Sequence, residues 1–355
     1  MTRILQNFDI HGFQEKLIGW YQTNKRNLPW RQDRDPYKVW VSEIMLQQTQ
    51  VDTVIPYFQR FISKYPTLHD LAYADEQDVL KTWEGLGYYS RVRNLQNAAR
   101  EVEASYGGEV PDDSKQLGKL KGIGPYTKGA ILSIAFDQPE PAVDGNVMRV
   151  LSRVLKIEDD IAQPKVKKQF EGYARELISY DDPSSFNQGI MELGALVCMP
   201  KEPMCMFCPV QDHCRAFQEG TERELPVKSK AKKQKKIPYT VLLIRNENDE
   251  YLIEKRPENG LLANLWQFPM VPVAEIGNDH VVNWFEMEYG IDVELSDKQG
   301  DLKHVFSHII WQLEIVAAKT SRKETEDDRV RFVSRDELET YPFPVSHQKM
   351  TRYIT

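Results

Sequence analysis

The stretch from Leu117 to Leu155, LGKLKGIGPYTKGAILSIAFDQPEPAVDGNVMRVLSRVL, constrains the fold of this 355-residue chain more than any other. Asp113-Ser114 offers helix-start chemistry, and a short helix is predicted to run to about Leu120. Gly122-Ile123-Gly124 then reverses the chain, because glycine takes positive φ without Cβ strain. Pro125 suits the first turn of a second helix, where its missing N–H would be unpaired anyway. Ala130, Ile131, Ile134 and Ala135 give that helix a buried stripe. Such a hairpin aims several backbone N–H groups and a helix N-terminus at one spot, a cradle for a phosphate oxygen. An isolated GxG turn is more often an ordinary connection between helices, but here the continuation shifts the weighting. Pro139 and Pro141 force an extended passage that delivers Asp144-Gly145-Asn146. A third helix should follow, with Asn146 as its N-cap and Val147, Val150, Leu151, Val154 and Leu155 inward. A carboxylate is thereby set just before a helix start, beside a phosphate cradle.

All four cysteines fall within seventeen residues, as Cys198, Cys205, Cys208 and Cys214. Clustered thiols favour a metal over disulfides in an intracellular chain, and four thiolates suit either tetrahedral zinc or iron and sulfur. The opening MTRILQNFDIHGF lacks the cationic-then-apolar form of a secretion signal, so a cytoplasmic chain is expected. No apolar run approaches membrane-spanning length, so no membrane partner is expected. The net charge of −7 does not by itself suggest a polyanion as partner. Residues 1–220 carry 26 basic and 30 acidic side chains, and residues 237–355 carry 13 and 21. Between them KSKAKKQKK holds six lysines and no acid, so any polyanion would be gripped by local basic surface and backbone donors.

LKGIGPYTKGAI and VDGNVMRV resemble the helix-hairpin-helix signature and the aspartate-bearing segment of the endonuclease III superfamily of DNA glycosylases. The resemblance implies that Asp144 is catalytic and that Gly122 and Gly124 meet DNA. Relatives that also cut the strand carry a Schiff-base lysine at the position held here by Tyr126. A phenol cannot form that imine, so a monofunctional enzyme is expected. The cysteine spacing C-x6-C-x2-C-x5-C is that of the superfamily's four-iron loop, which implies one [4Fe–4S] cluster on Cys198, Cys205, Cys208 and Cys214.

Earlier in the chain, Pro36 opens a predicted helix that contains Glu43, with Val39 and Trp40 one turn back and Leu46 and Gln47 one turn on, mostly apolar neighbours. A carboxyl with apolar helix neighbours should be hard to ionise, which suits a general acid at neutral pH. WVSEIMLQQTQV resembles the segment that carries the catalytic glutamate of MutY-type adenine DNA glycosylases. That resemblance implies an adenine pocket of Trp30, Arg31, Leu46 and Gln188. It also implies DNA contacts from Gln48 and Thr49, and it assigns Tyr126 and Asn146 to orienting the two carboxylates. In EGLGYYSRVRNL, Leu86 and Tyr88 are wedge candidates where a nucleotide is flipped out of the stack. Further helices are predicted over 8–26, 50–64, 75–83, 90–104 and 165–180.

Residues 221–237 read as a charged linker between a domain at 1–220 and another at 238–355. IPYTVLLIRN and YLIEKRP alternate as strands, residues 278–290 look helical, HVFSHIIWQLEIVAA reads as one long strand, and VRFVSRDEL as a strand entering a helix. That order resembles the Nudix fold, and GLLANLWQFP resembles the MutT segment that binds an oxidised purine nucleotide. Where the Nudix catalytic helix should lie, NWFEMEYGI keeps only Glu286 and Glu288, too few carboxylates for a magnesium cluster. The domain then resembles the recognition module of MutY-type enzymes, with Phe306-Ser307-His308 as its lesion-facing motif. The expected fold is therefore multidomain: an all-helical helix-hairpin-helix domain with an iron–sulfur loop, then a Nudix-like α/β domain. The expected protein is a monomeric adenine DNA glycosylase acting on duplex DNA with adenine opposite 8-oxoguanine or guanine. A bifunctional lyase, a non-catalytic iron–sulfur sensor and a Nudix hydrolase are the alternatives, opposed respectively by Tyr126, by the Glu43/Asp144 pairing and by the depleted box.

Overall fold

The computed structural model describes residues 2–230 and 233–354. Contacts sort the chain into two units, Met1–Tyr73 with Asn94–Lys230 and Ala74–Arg93 with Ala231–Thr355. The first unit is helical. Its elements are α1 (Ile10–Asn24), α2 (Pro36–Leu46), α3 (Val51–Lys64) and α4 (Leu68–Tyr73). After α5 (Glu76–Thr82), which lies in the other unit, come α6 (Ser90–Tyr106) and α7 (Ser114–Leu117). Then follow α8 (Pro125–Phe136), α9 (Gly145–Val154), α10 (Pro164–Leu177) and α11 (Pro183–Leu196), with a last helical turn at Arg215–Gln218 after the cysteines. Four of the five helices predicted in outline are met within two residues at each end, and the fifth, α10, stops three residues early at Leu177. The core gathers Phe13 and Leu17 of α1, Val150 and Leu151 of α9, Phe170 of α10, and Phe186 and Ile190 of α11. Each such side chain, fully buried, contributes about 1.5–3 kcal/mol.

The hairpin forms as its residues dictate. Asp113 Oδ1 accepts from the N–H groups of Lys115 and Gln116 at 3.0 and 2.9 Å and starts α7. Gly122 turns the chain at φ +84°, and a Cβ there would meet Asn94 Cβ at 2.8 Å. Pro125 is the first residue of α8, which is buried from Thr127 through Ile134, except for Lys128, rather than along one stripe. Asp144, not Asn146, caps α9: its Oδ1 accepts from Val147 N–H at 2.7 Å. The aspartate sits three residues before that donor, the N-cap spacing, which leaves Asn146 inside the first turn.

The second unit holds a mixed sheet of β1 (Lys235–Arg245), β2 (Tyr251–Lys255), β3 (Trp266–Gln267), β4 (Met270–Val271), β5 (Glu294–Val305), β6 (Ile309–Lys319) and β7 (Val330–Val333). The order is β3-β2-β1-β6-β5, with β1 and β6 parallel over their whole length. Central strands are buried on both faces, which explains the unbroken run VLLI in β1. Val241 and Leu243 face Phe268, Trp311 and Met350, while Leu242 and Ile244 face Phe285 of the helix Val281–Tyr289.

Three features depart from the sequence reading. HVFSHIIWQLEIVAA is not one strand; it bends between β5 and β6, where Phe306 N–H donates to Ile309 O at 2.9 Å across Ser307-His308. Alternating hydrophobicity persists through such a turn, so pattern alone does not reveal it. The lysine-rich connection ends earlier than expected, because Lys235 and Lys236 already pair with Ile309 and Ile310. Third, Ala74–Arg93 packs with the C-terminal unit, although it lies within the stretch 1–220. Gln77 accepts from Trp266 Nε1 at 2.9 Å, and Lys81 donates to Tyr341 O at 3.1 Å. Helical periodicity says which face is buried and not what buries it. Among the described residues no helix is long and apolar enough to cross a membrane.

Candidate active site

One cavity of the helical unit collects residues from five places in the chain. Trp30 and Arg31 come from the short turn Pro29–Arg31, and Glu43 and Leu46 from α2 with Thr49 just beyond it. Tyr126 comes from α8, Asp144 and Asn146 from the start of α9, and Gln188 from α11. Gly129 lets α8 lie against the extended passage that delivers Asp144, since a Cβ there would meet Pro141 O at 2.0 Å. Trp30 is fixed edge-on to Phe58, with ring centres 5.5 Å apart. Gln188 spends one amide hydrogen on Ser184 Oγ at 3.2 Å.

Glu43 is 6% exposed, and Tyr126 OH donates to its Oε2 at 2.5 Å. Burial pushes its carboxyl up to about 7. The Tyr126 hydrogen bond opposes that rise, the Asp144 charge adds to it, and Arg31 opposes it. A carboxyl half protonated at neutral pH is matched to proton donation. Asp144 is also raised by burial, while Val147 N–H and the Asn146 amide, donating to Oδ2 at 2.9 Å, favour its ionised form. Burial, then the charges of Glu43 and Asp144, hold the Tyr126 phenol well above its usual value. Tyr126 is therefore a donor here and not a base.

The sequence reading missed Glu192. It is 1% exposed, lines the same cavity, and receives Arg26 through Nε at 2.9 Å and Nη2 at 2.8 Å. Arg31 reaches it through Nη1 at 3.1 Å and Nη2 at 2.9 Å, with its guanidinium over the Tyr21 ring. Burial alone would raise Glu192, but the two arginines bring it down to about 2. A glutamate on an apolar helix was the available signal, though nothing local names its partners.

Arg149 ties this cavity to the cysteines. Its Nη2 donates to Asn146 Oδ1 and Gly194 O, each at 2.8 Å, and its Nε donates to Cys198 O at 2.8 Å. Cys198, Cys205, Cys208 and Cys214 are free thiols that line a second cavity with Val150, Val154 and Leu193. Tight turns at Cys205–Phe207 and Gln211–His213 bring them round. Burial pushes Cys208 up to about 12 and Cys214 up to about 11. Such thiols ionise only when a cation compensates them, so metal binding would release protons. Arg153, 1% exposed, provides a fixed positive charge, donating to Cys198 Sγ at 3.2 Å and to Met199 O and Pro200 O.

The remaining sequence-selected residues lie outside the first cavity. Gln48 is exposed and left-handed at φ +59°. Gly124 opens α8 with no atom within 4 Å of a built Cβ, leaving the hairpin open to a ligand. Leu86 is only 6% exposed and Tyr88 45%, so of the two wedge candidates only Tyr88 presents its ring to solvent. Leu86 is instead an anchor of that turn. In the second unit Phe306 packs against Trp311 at 4.8 Å, while Ser307 and His308 are exposed at the hairpin tip.

Fold and cavity define a class, a helix-hairpin-helix base-excision domain joined to a Nudix domain. The family described as HhH-GPD superfamily base excision DNA repair protein matches residues 41–176, and the NUDIX domain matches 240–353. A solved thermostable thymine-DNA glycosylase is 28% identical, covering 61% of this chain and 99% of its own, with a TM-score of 0.55. A trapped endonuclease III–DNA covalent intermediate is 25% identical, covering 62% and 99%, with a TM-score of 0.52. The adenine DNA glycosylase of Rattus norvegicus is 40% identical over 85% of this chain and 69% of its own. That of Homo sapiens is 34% identical over 97% and 74%. The chain belongs to the adenine DNA glycosylase family.

Proposed function

We propose that the protein hydrolyses the bond between adenine and deoxyribose in duplex DNA where adenine faces 8-oxoguanine or guanine. The observation that carries this reading is Glu43, a buried carboxyl poised near neutral pH beside Asp144, in a chain of this family. In the proposed sequence the hairpin N–H groups hold backbone phosphate, Tyr88 opens the stack, and adenine turns into the cavity. Glu43 gives its proton to N7, so the C1′–N9 bonding pair leaves on a neutral adenine. Asp144, ionised, faces the sugar cation or briefly bonds to C1′, as carboxylate pairs do in retaining glycosidases. Water then adds to C1′ and returns a proton to Glu43. Tyr126 and Asn146 orient the two carboxylates, and the buried Glu192–Arg31 pair holds the wall against which adenine rests. With a phenol in the lyase position, the product is an abasic site in an intact strand.

The four cysteines suit a [4Fe–4S] cluster. All four thiols line a common cavity with Arg153 in its wall, and their spacing along the chain is that of the family's four-iron loop. When bound, the cluster supplies cross-links that shape the loop. At the tip of the β5–β6 hairpin, Ser307 and His308 offer short polar groups to the base opposite adenine.

A single-turnover assay on duplexes with adenine opposite 8-oxoguanine, guanine and thymine tests the reading. Adenine release that is fastest opposite 8-oxoguanine, with strand breakage only after alkali, is expected. No release from any duplex, or a borohydride-trapped enzyme–DNA adduct, overturns it.

A further inference from the structure

The turn Glu84–Tyr89 holds an expensive shape. Gly85 and Gly87 have φ +99° and +69°, and Tyr88, which is not a glycine, has φ +48°. A side-chain-bearing residue persists in the left-handed region only where its surroundings over-determine it. From the flanks of the turn, Trp83 Nε1 donates to Gly87 O at 3.1 Å, and Arg91 Nη2 donates to Leu86 O and Gly87 O. The rest of the support comes from a distant motif that no step above uses, Tyr341-Pro342-Phe343-Pro344. Phe343 N–H donates to Glu84 Oε1 at 2.8 Å, and Phe343 O accepts from Tyr89 OH at 3.3 Å. Tyr89 OH in turn accepts from Gly85 N–H at 3.3 Å. Lys81 closes the ring, bridging Glu84 Oε2 at 2.7 Å and Tyr341 O at 3.1 Å.

The motif is itself anchored in the sheet. Trp266 N–H donates to Pro342 O at 3.0 Å, and the Phe343 ring lies 5.5 Å from that of Phe268. The flanking prolines pre-set an extended backbone and contribute no N–H, so Phe343 is the one main-chain donor in Pro342–Pro344. Its N–H goes to the turn, and its carbonyl is shared between Tyr89 OH and Gln348 Nε2, which donates at 2.7 Å.

We propose that the Phe343 main chain is the strut that holds the Tyr88 turn in its stack-opening shape, with Glu84 and Tyr89 as positioning residues. The unit that carries Ser307 and His308 thereby also carries the side chain that opens the helix. This rests on Tyr88 being the wedge, and the variants below separate the two claims. Stack opening at the lesion is then limited by how firmly the C-terminal unit grips residues 84–89.

The test uses the full chain and duplex DNA with 2-aminopurine, fluorescent when unstacked, opposite 8-oxoguanine. Glu84→Ala and Tyr89→Phe should each slow the fluorescence rise by at least roughly three- to tenfold, the effect of losing one such hydrogen bond, since Glu84 also holds Lys81 and Tyr89 also accepts from Gly85. Glu84→Gln, which still offers Phe343 N–H an acceptor, should restore most of the rate. In all three the basic limb of the excision pH profile should stay where it is in the wild type, because the cavity is untouched. Wild-type opening in the Glu84→Ala/Tyr89→Phe double variant, with Tyr88→Ser slow, overturns the strut. Wild-type opening in Tyr88→Ser overturns the wedge, and the strut with it. Glu84→Gln as slow as Glu84→Ala also overturns the proposal, since an acceptor at that position would then not be what matters.

Discussion

Glu43 and Glu192 line the same cavity, and neither is more than 6% exposed, yet their carboxyls stand near 7 and near 2. For Glu43 burial dominates and the Asp144 carboxylate adds to it, so the Tyr126 phenol and the more distant charge of Arg31, which favour ionisation, only partly offset the rise. Glu192 has two guanidinium groups held in bidentate geometry, which make its charge the stable form. The same side chain is thus held near its protonation midpoint at neutral pH in one wall and as a paired anion in the other. Burial is common to both; the difference lies in what else is buried with them.

The largest effect should come from Glu43→Gln, which keeps the shape and removes the proton. We expect single-turnover excision to fall about a hundred- to ten-thousandfold with mismatch binding retained in a gel-shift assay. Asp144→Asn should behave alike, since an amide cannot face a sugar cation with negative charge. Near-wild-type rates in either would erase the contrast between the two glutamates. Glu192→Ala comes next and acts on a different property. Leaving Arg26 and Arg31 without their buried partner should cost about 3–5 kcal/mol of folding stability, read by denaturant titration. If this variant keeps its stability, the arginines find other partners and the anion is dispensable.

A third measurement uses pH. As the acid proposed above, Glu43 acts only when protonated, so kcat/KM should decline about tenfold per pH unit above about 7, and Glu43→Gln should lack that limb. Stability should move in the matching sense. The folded pKa of about 7 exceeds the ordinary 4.5, so the folded chain binds more protons between those values. The contribution of Glu43 to stability is therefore whole below about 4.5 and lost as pH rises through about 7. Glu43→Gln should gain thermal stability relative to wild type on going from acid to basic pH. Glu192, lowered instead, contributes at neutral pH and loses that contribution only as pH falls toward about 2.

Tyr126→Phe sharpens the comparison by removing the one hydrogen bond that favours ionised Glu43. The basic limb should move to higher pH, and a limb that stays or falls would mean that Tyr126 does not tune Glu43. The smallest effect expected is in the other unit. Ser307→Ala should reduce the preference for 8-oxoguanine over guanine opposite adenine only a few-fold, as one hydrogen bond of about 0.5–1.5 kcal/mol allows.

What the sequence determined by itself has local causes. Asp113 and Pro125 start their helices because the chemistry of a helix N-terminus is contained within four residues. Gly122 turns the hairpin because φ is a property of one residue, and Glu43 lands on an apolar helix because its neighbours are three and four positions away. The Nudix-like strands were legible from their alternation, although the turn at Ser307-His308 was not, since alternation runs on through it. Tertiary structure alone decided the rest. Arg26 and Glu192 lie 166 positions apart, and no periodicity couples them. Nor does any pattern say that Glu84 meets Phe343, 259 positions on, and so assigns residues 74–93 to the C-terminal unit. The pKa values of the two glutamates belong to the same category. Helix spacing predicts that a carboxyl will be buried, but whether burial ends in a neutral acid or a paired anion depends on which distant charges the fold delivers to it.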